Sequence, residues 1–198
     1  MDTTFYLSLF QQAVDKLDKR LLNQKQLQVE TGVWLDSVVL RLHKQHWANN
    51  PDAKPQTGPA IFFSIWINNA GIKEHKLFYN IHALKLRKLN GYTLTSRKFA
   101  DDFREQFKSI EHNWPNVSMK FGPQTLMQGW KIVNLDFPIE DILKIANKFI
   151  EIDILIENLL INGNVKLNSN WDTTMFWFHG ISEVYLTNEF IPLRQDCF

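Results

Sequence analysis

The stretch 61–89 constrains the fold more than any other part of the chain. It reads IFFSIWIN, then a short polar segment containing Gly71, then KLFYNIHALKLRKL. In the first run Ile61, Phe63, Ile65 and Ile67 alternate with Phe62, Ser64, Trp66 and Asn68. In the second, Tyr79, Ile81 and Ala83 alternate with Phe78, Asn80, His82 and Leu84. Period-two runs joined by a glycine-containing loop predict a pair of antiparallel strands. The first run is apolar on both of its faces. A strand of that kind is normally covered on both, which predicts the middle of a sheet.

The other segments are then read around that hairpin. Asp2, Thr3 and Thr4 are cap residues, and Phe5, Leu9, Val14, Leu17 and Leu21 follow at helical spacing. They predict one long amphipathic first helix ending before Gly32. VWLDSVVLRLHK (33–44) reads as a strand with Val38, Leu40 and Leu42 inward and Val39 and Arg41 outward. Residues 46–60 hold three prolines and Gly58, a loop by composition. After Gly91, Thr95 or Ser96 caps a helix whose Phe99, Phe103 and Phe107 share one face. VSMKF (117–121) and LMQGWKIVNLDF (126–137) predict two more strands, with Gly129 marking a bulge or a close backbone approach. Pro138 opens a third helix with Glu140 and Asp141 in its first turn, stopped at Asn162 and Gly163.

The expected class is therefore α+β. A mostly antiparallel sheet of about five strands carries three main helices, in the order αβββαββα. Residues 1–163 form one domain, and residues 164–198 are an aromatic-rich extension packed on it. With 198 residues the chain is long enough to bury about 70% of its unfolded surface. This element order is similar to that of the small dimeric secretion chaperones of type III systems. It is also similar to an accessory domain found behind nuclease domains. Neither likeness extends to a motif, and the near-neutral charge departs from the acidic chaperones.

Composition narrows the function. A formal charge of +1 provides no global field for nucleic acid or membrane, so any electrostatic role is local. The single cysteine, Cys197, allows no internal disulfide and lies too close to the end for prenylation. The N-terminal apolar run is broken by Gln11 and Gln12, unlike a signal peptide, and no window resembles a membrane span. The expectation is a cytoplasmic chain with no membrane association.

Between residues 73 and 98, Lys73, Lys76, Lys85, Arg87, Lys88, Arg97 and Lys98 meet one acid, Glu74, with His75, Tyr79, His82 and Tyr92 interleaved. Cations beside aromatic faces suit phosphates and bases, so Lys73, Lys76, Lys85, Arg87, Arg97 and Lys98 are candidate nucleic-acid contacts. The alternative is a solvated surface neutralised by Asp101, Asp102, Glu105 and Glu111. Lys85, Arg87 and Lys88 lie at consecutive or alternating strand positions, so Lys85 and Arg87 share one face and Lys88 points away.

Six histidines and one thiol give no metal-ligand spacing, so no metal or other cofactor is expected. A weaker third reading is a metal-dependent nuclease or hydrolase built on Asp36 with His43 or His46. The strand that follows Asp36 carries neither the acid nor the lysine such a site needs. No P-loop, GxSxG or GxGxxG occurs, and no catalytic residue is assigned.

Residues 164–198 include Trp171, Phe176, Trp177 and Phe178. These either complete the core or form a docking surface, since aromatic residues supply large contact area at low entropy cost. The leading expectation is a non-catalytic binding module, an accessory subunit of a larger bacterial-type assembly. Its partner would be another protein or a second copy of itself.

Overall fold

A computed structural model of the chain describes residues 1–49, 59–135 and 138–163. Five strands form one antiparallel sheet in the order β1-β2-β3-β4-β5: β1 Gln28–Trp34, β2 Ser37–His43, β3 Ile61–Ile67, β4 Lys76–Ala83 and β5 Thr125–Ile132. Every strand pairs with its neighbours in sequence, so the sheet is a meander. Three main helices accompany it: α1 Thr3–Lys16, α4 Ser96–Phe107 and α5 Ile139–Asn162, with the shorter α2 Lys19–Gln24 and α3 Asn69–Lys73 between elements. This is the expected α+β architecture, with β3 in the middle of the sheet as its two-faced apolar pattern predicts.

Individual elements differ from the expected order. The first helix breaks in two because Asp18 accepts hydrogen bonds from the Arg20 and Leu21 backbone amides, capping a new helix after an extended Leu17. The predicted strand 33–44 is split by a two-residue turn at Leu35 and Asp36, and its first residues belong to β1. VSMKF contributes one isolated bridge, Ser118 to Gln128, and no strand. The sheet reaches five strands through β1 instead, so four strands precede α4 and the secretion-chaperone order is not reproduced. The polar segment between β3 and β4 is a short helix capped by Asn68, whose side chain accepts from the Gly71 amide at 2.9 Å.

One face of the sheet forms the core. Val38, Leu40, Leu42, Ile61, Phe63, Ile65, Leu77, Tyr79 and Ile81 are buried there beneath Phe10 of α1, Phe103 and Phe107 of α4, and Phe149 of α5. Phe63 stacks on Phe149 at 4.9 Å, and Trp47 meets Phe63 edge-on at 5.4 Å. The stripe of α5 contains one buried acid, Asp153, which binds Lys25 at 2.7 Å and Lys44 at 2.8 Å. One turn further on, Glu157 holds Lys44 at 2.9 Å, His46 at 3.1 Å and the Trp47 indole at 3.0 Å. These pairs fasten α5 to the end of β2. No helix among the described residues is long and apolar enough to cross a membrane.

Candidate binding face

The opposite face of the sheet carries the most distinctive chemistry, arranged in cross-strand rows. Glu30, Arg41, Ser64, Asn80 and Gln128 stand opposite one another on successive strands, a polar row across the whole sheet. Beside it runs Gly32, Val39, Trp66, Phe78 and Trp130. On the other side Phe62 faces His82, which faces Thr125. Val39 and Phe62 are buried at 6% and 8% exposure, yet neither belongs to the hydrophobic cluster under the helices. This is a second, separate apolar surface.

Local sequence explains the geometry. Trp34 and Gly32 lie two apart on β1 and so share this face. A Cβ at Gly32 would come within 2.7 Å of the Trp34 ring, so the glycine makes room for the indole to lie over its own strand. The Arg41 guanidinium packs over that indole at 4.0 Å and over the Phe62 ring at 5.0 Å. Trp66 and Phe78 stack at 4.4 Å, and the Lys76 ammonium lies 4.4 Å from the Trp130 ring centre. Ser64 donates to the Asn80 side-chain oxygen. Trp34, Arg41, Phe62, Ser64, Trp66 and Asn80 are among the residues that line a groove of about 510 Å³.

The charge on this face is modest. Glu30 Oε1 lies 3.7 Å from Arg41 Nη1, and Arg41 Nε is buried with no hydrogen-bond partner among the described residues. Burial lowers the Arg41 pKa, opposed by Glu30. Burial also lowers the pKa of His43, despite Glu30 4.0 Å away, and that of His82, whose Nδ1 lies 3.2 Å from the Gln124 carbonyl.

The basic stretch 73–98 is dispersed. Lys73 ends α3, and Lys76 starts β4, where it pairs with Glu74 at 2.7 Å. Lys85 and Arg87 lie beyond the other end of β4, a strand about 25 Å long at ~3.3 Å per residue. The expectation that Lys85 and Arg87 share a strand face is overturned: Lys85 is left-handed (φ 52°) and residues 86–88 form a 3-10 turn. Arg97 lies in the first turn of α4, and Lys98 pairs with Asp102 at 2.8 Å. Of these residues, Lys76 alone stands over an aromatic ring of the open face among the contacts described.

Asp36 sits in the β1–β2 turn and His43 at the far end of β2, so the strand holds them apart, while His46 is engaged by Glu157. Among the described residues no group of three or more His, Cys, Asp or Glu gathers as a metal site. Trp171, Phe176, Trp177 and Phe178 lie outside the described residues.

Sequence reasoning missed Trp34, Arg41 and Trp130 as a set. A signal was present in the alternation of β3, whose second apolar face needed a partner. Compared with protein-family models, with curated proteins and with solved structures, the chain matches none. Fold and face together define an α+β meander with its main helices on one side and an aromatic groove on the other.

Proposed function

We propose that the protein is a non-catalytic binding module, an accessory subunit of a larger assembly, and that its recognition surface is the aromatic face of the sheet. One observation carries this reading. β3 is apolar on both faces, and the three main helices pack on one, leaving Trp34, Phe62 and Trp66 lining a groove on the other, with Phe78 and Trp130 beside it. Aromatic residues and arginine concentrate binding energy in protein interfaces, because each buries much area while losing little rotamer freedom. The groove also fits a partner's side chains better than a phosphate backbone, since Arg41 is partly offset by Glu30 and Lys76 by Glu74.

The test compares proteins recovered from the native source with the full chain and with its Trp66→Ala variant. A specific partner should be lost from the variant while the thermal melt stays cooperative. A partner retained equally by both would overturn the assignment to this face. The competing reading is single-stranded nucleic acid stacked on the same aromatics, helped by Lys76 over Trp130. Gel shifts with DNA and RNA at two salt concentrations separate the two, because phosphate-dominated binding weakens steeply with salt.

A further inference from the structure

Arg41 is a charge held in place with donors to spare. A guanidinium presents five N–H donors in one plane. Here that plane is flanked by Trp34 at 4.0 Å and Phe62 at 5.0 Å, which fixes its orientation. Glu30 stands 3.7 Å from Nη1, beyond hydrogen-bond range, so it moderates the charge without satisfying the donor. Nε is buried and has no hydrogen-bond partner among the described residues. The side chain as a whole retains 19% exposure and lines the groove, so a ligand there can reach it.

The surroundings select the kind of anion. His43 and His82 lie near Arg41, and burial lowers the pKa of each, which disfavours a further positive charge beside it. Lys76 lies over Trp130 and is paired with Glu74. Among the described residues, a dianionic phosphate in the groove would therefore meet one guanidinium, a nearby Glu30 carboxylate and no lysine or second arginine. A planar monoanion matches the fork of an arginine. The walls beside it, Phe62, Trp66 and Leu84, are apolar.

We propose that Arg41 is a carboxylate anchor, taking an acidic side chain that sits beside apolar side chains in a partner polypeptide. This deepens the reading of the aromatic face as a protein-binding surface and rests on it. The partner's carboxylate displaces water from the guanidinium while its apolar neighbours enter the groove along Phe62 and Trp66.

The experiment uses the full chain labelled with ¹⁵N and follows the Arg41 Nε–H resonance, identified by its absence from Arg41→Lys. The probes are N-acetylphenylalanine, its uncharged amide and phenyl phosphate. The expected result is a saturable shift with the carboxylate. The amide should bind about tenfold more weakly, the scale of one charge-assisted hydrogen bond. Glu30→Gln, which removes the competing carboxylate, should tighten binding by about threefold, the scale of one exposed ion pair.

No saturable shift, or equal responses to acid and amide, would overturn the anchor. Tighter binding of phenyl phosphate would transfer the site to phosphate ligands. A resonance that moves with protein concentration alone would assign it to a second copy of the chain, against the proposal. Failure here is separable from failure of the broader reading. A partner lost with Trp66→Ala but indifferent to Arg41→Lys refutes the anchor alone.

Discussion

Gly129 lies where the ring of Tyr79 crosses β5. Tyr79 is fully buried, donates to the Pro115 carbonyl, and its pKa is pushed up by that burial. A Cβ at position 129 would overlap the Tyr79 ring itself, and a ring packed between Trp114 and Phe149 has nowhere to retreat. Gly129→Ala should destabilise the protein by about 1–3 kcal/mol through overpacking. Urea unfolding reads this directly, and an unchanged midpoint would mean that the strand bends away. The close approach was legible as a glycine inside a strand pattern, but which ring approaches was not. Tyr79 and Gly129 are fifty residues apart in sequence, and only the β4–β5 register brings them opposite. Asp153 poses the same problem. An acid inside an apolar helical stripe is visible in the sequence, whereas its partners Lys25 and Lys44 come from distant segments.

At the scale of elements, the β1–β2 hairpin carries a local cost. Leu35 and Asp36 both have left-handed backbones (φ 49° and 57°), the geometry of a two-residue turn that favours Asn-Gly. Leu35 is 98% exposed, so its side chain gains almost nothing from packing in return. Replacing the pair by Leu35→Asn with Asp36→Gly should stabilise the protein by about 1 kcal/mol. Thermal or urea melts would reveal it, and a destabilised double variant would show that the turn geometry is wrong. If the tip contributes to the groove beside Trp34, the same variant should bind a partner less well, because the exposed leucine is lost. This hairpin was hidden in the sequence because Leu-Asp is not a typical turn pair and Gly32 resembles a helix stop. By contrast α4 was legible, since three phenylalanines at four-residue spacing have a single way to be buried together.

At the scale of the molecule, α5 is tied to the sheet by charge as well as by apolar packing, and this makes stability depend on pH. Burial opposes ionisation of Glu157, but hydrogen bonds and charge from His46 and Lys44 outweigh it and depress its pKa to about 2. The folded value lies below the unfolded one of about 4.3. The carboxylate therefore stabilises the fold above about pH 4.5, and that contribution is lost as the pH falls towards 2. The stability difference between wild type and Glu157→Gln should be largest near pH 6 and shrink steadily below pH 4.5. A difference constant from pH 6 to pH 3 would show that the carboxylate is not ionised through these contacts.

By itself the sequence determined which stretches alternate and which repeat every three to four residues, and hence the α+β class, the central place of β3 and the buried stripes of α4 and α5. Those features are local, because one strand or helix must point its own apolar residues to one side. Strand register and the assembly of the two faces were decided by tertiary structure. Glu30, Arg41, Ser64, Asn80 and Gln128 form a row only because four antiparallel pairings align them, and each pairing depends on contacts between separate segments. The basic run 73–98 was dispersed for the same reason: contiguity in sequence along an extended strand is distance in space.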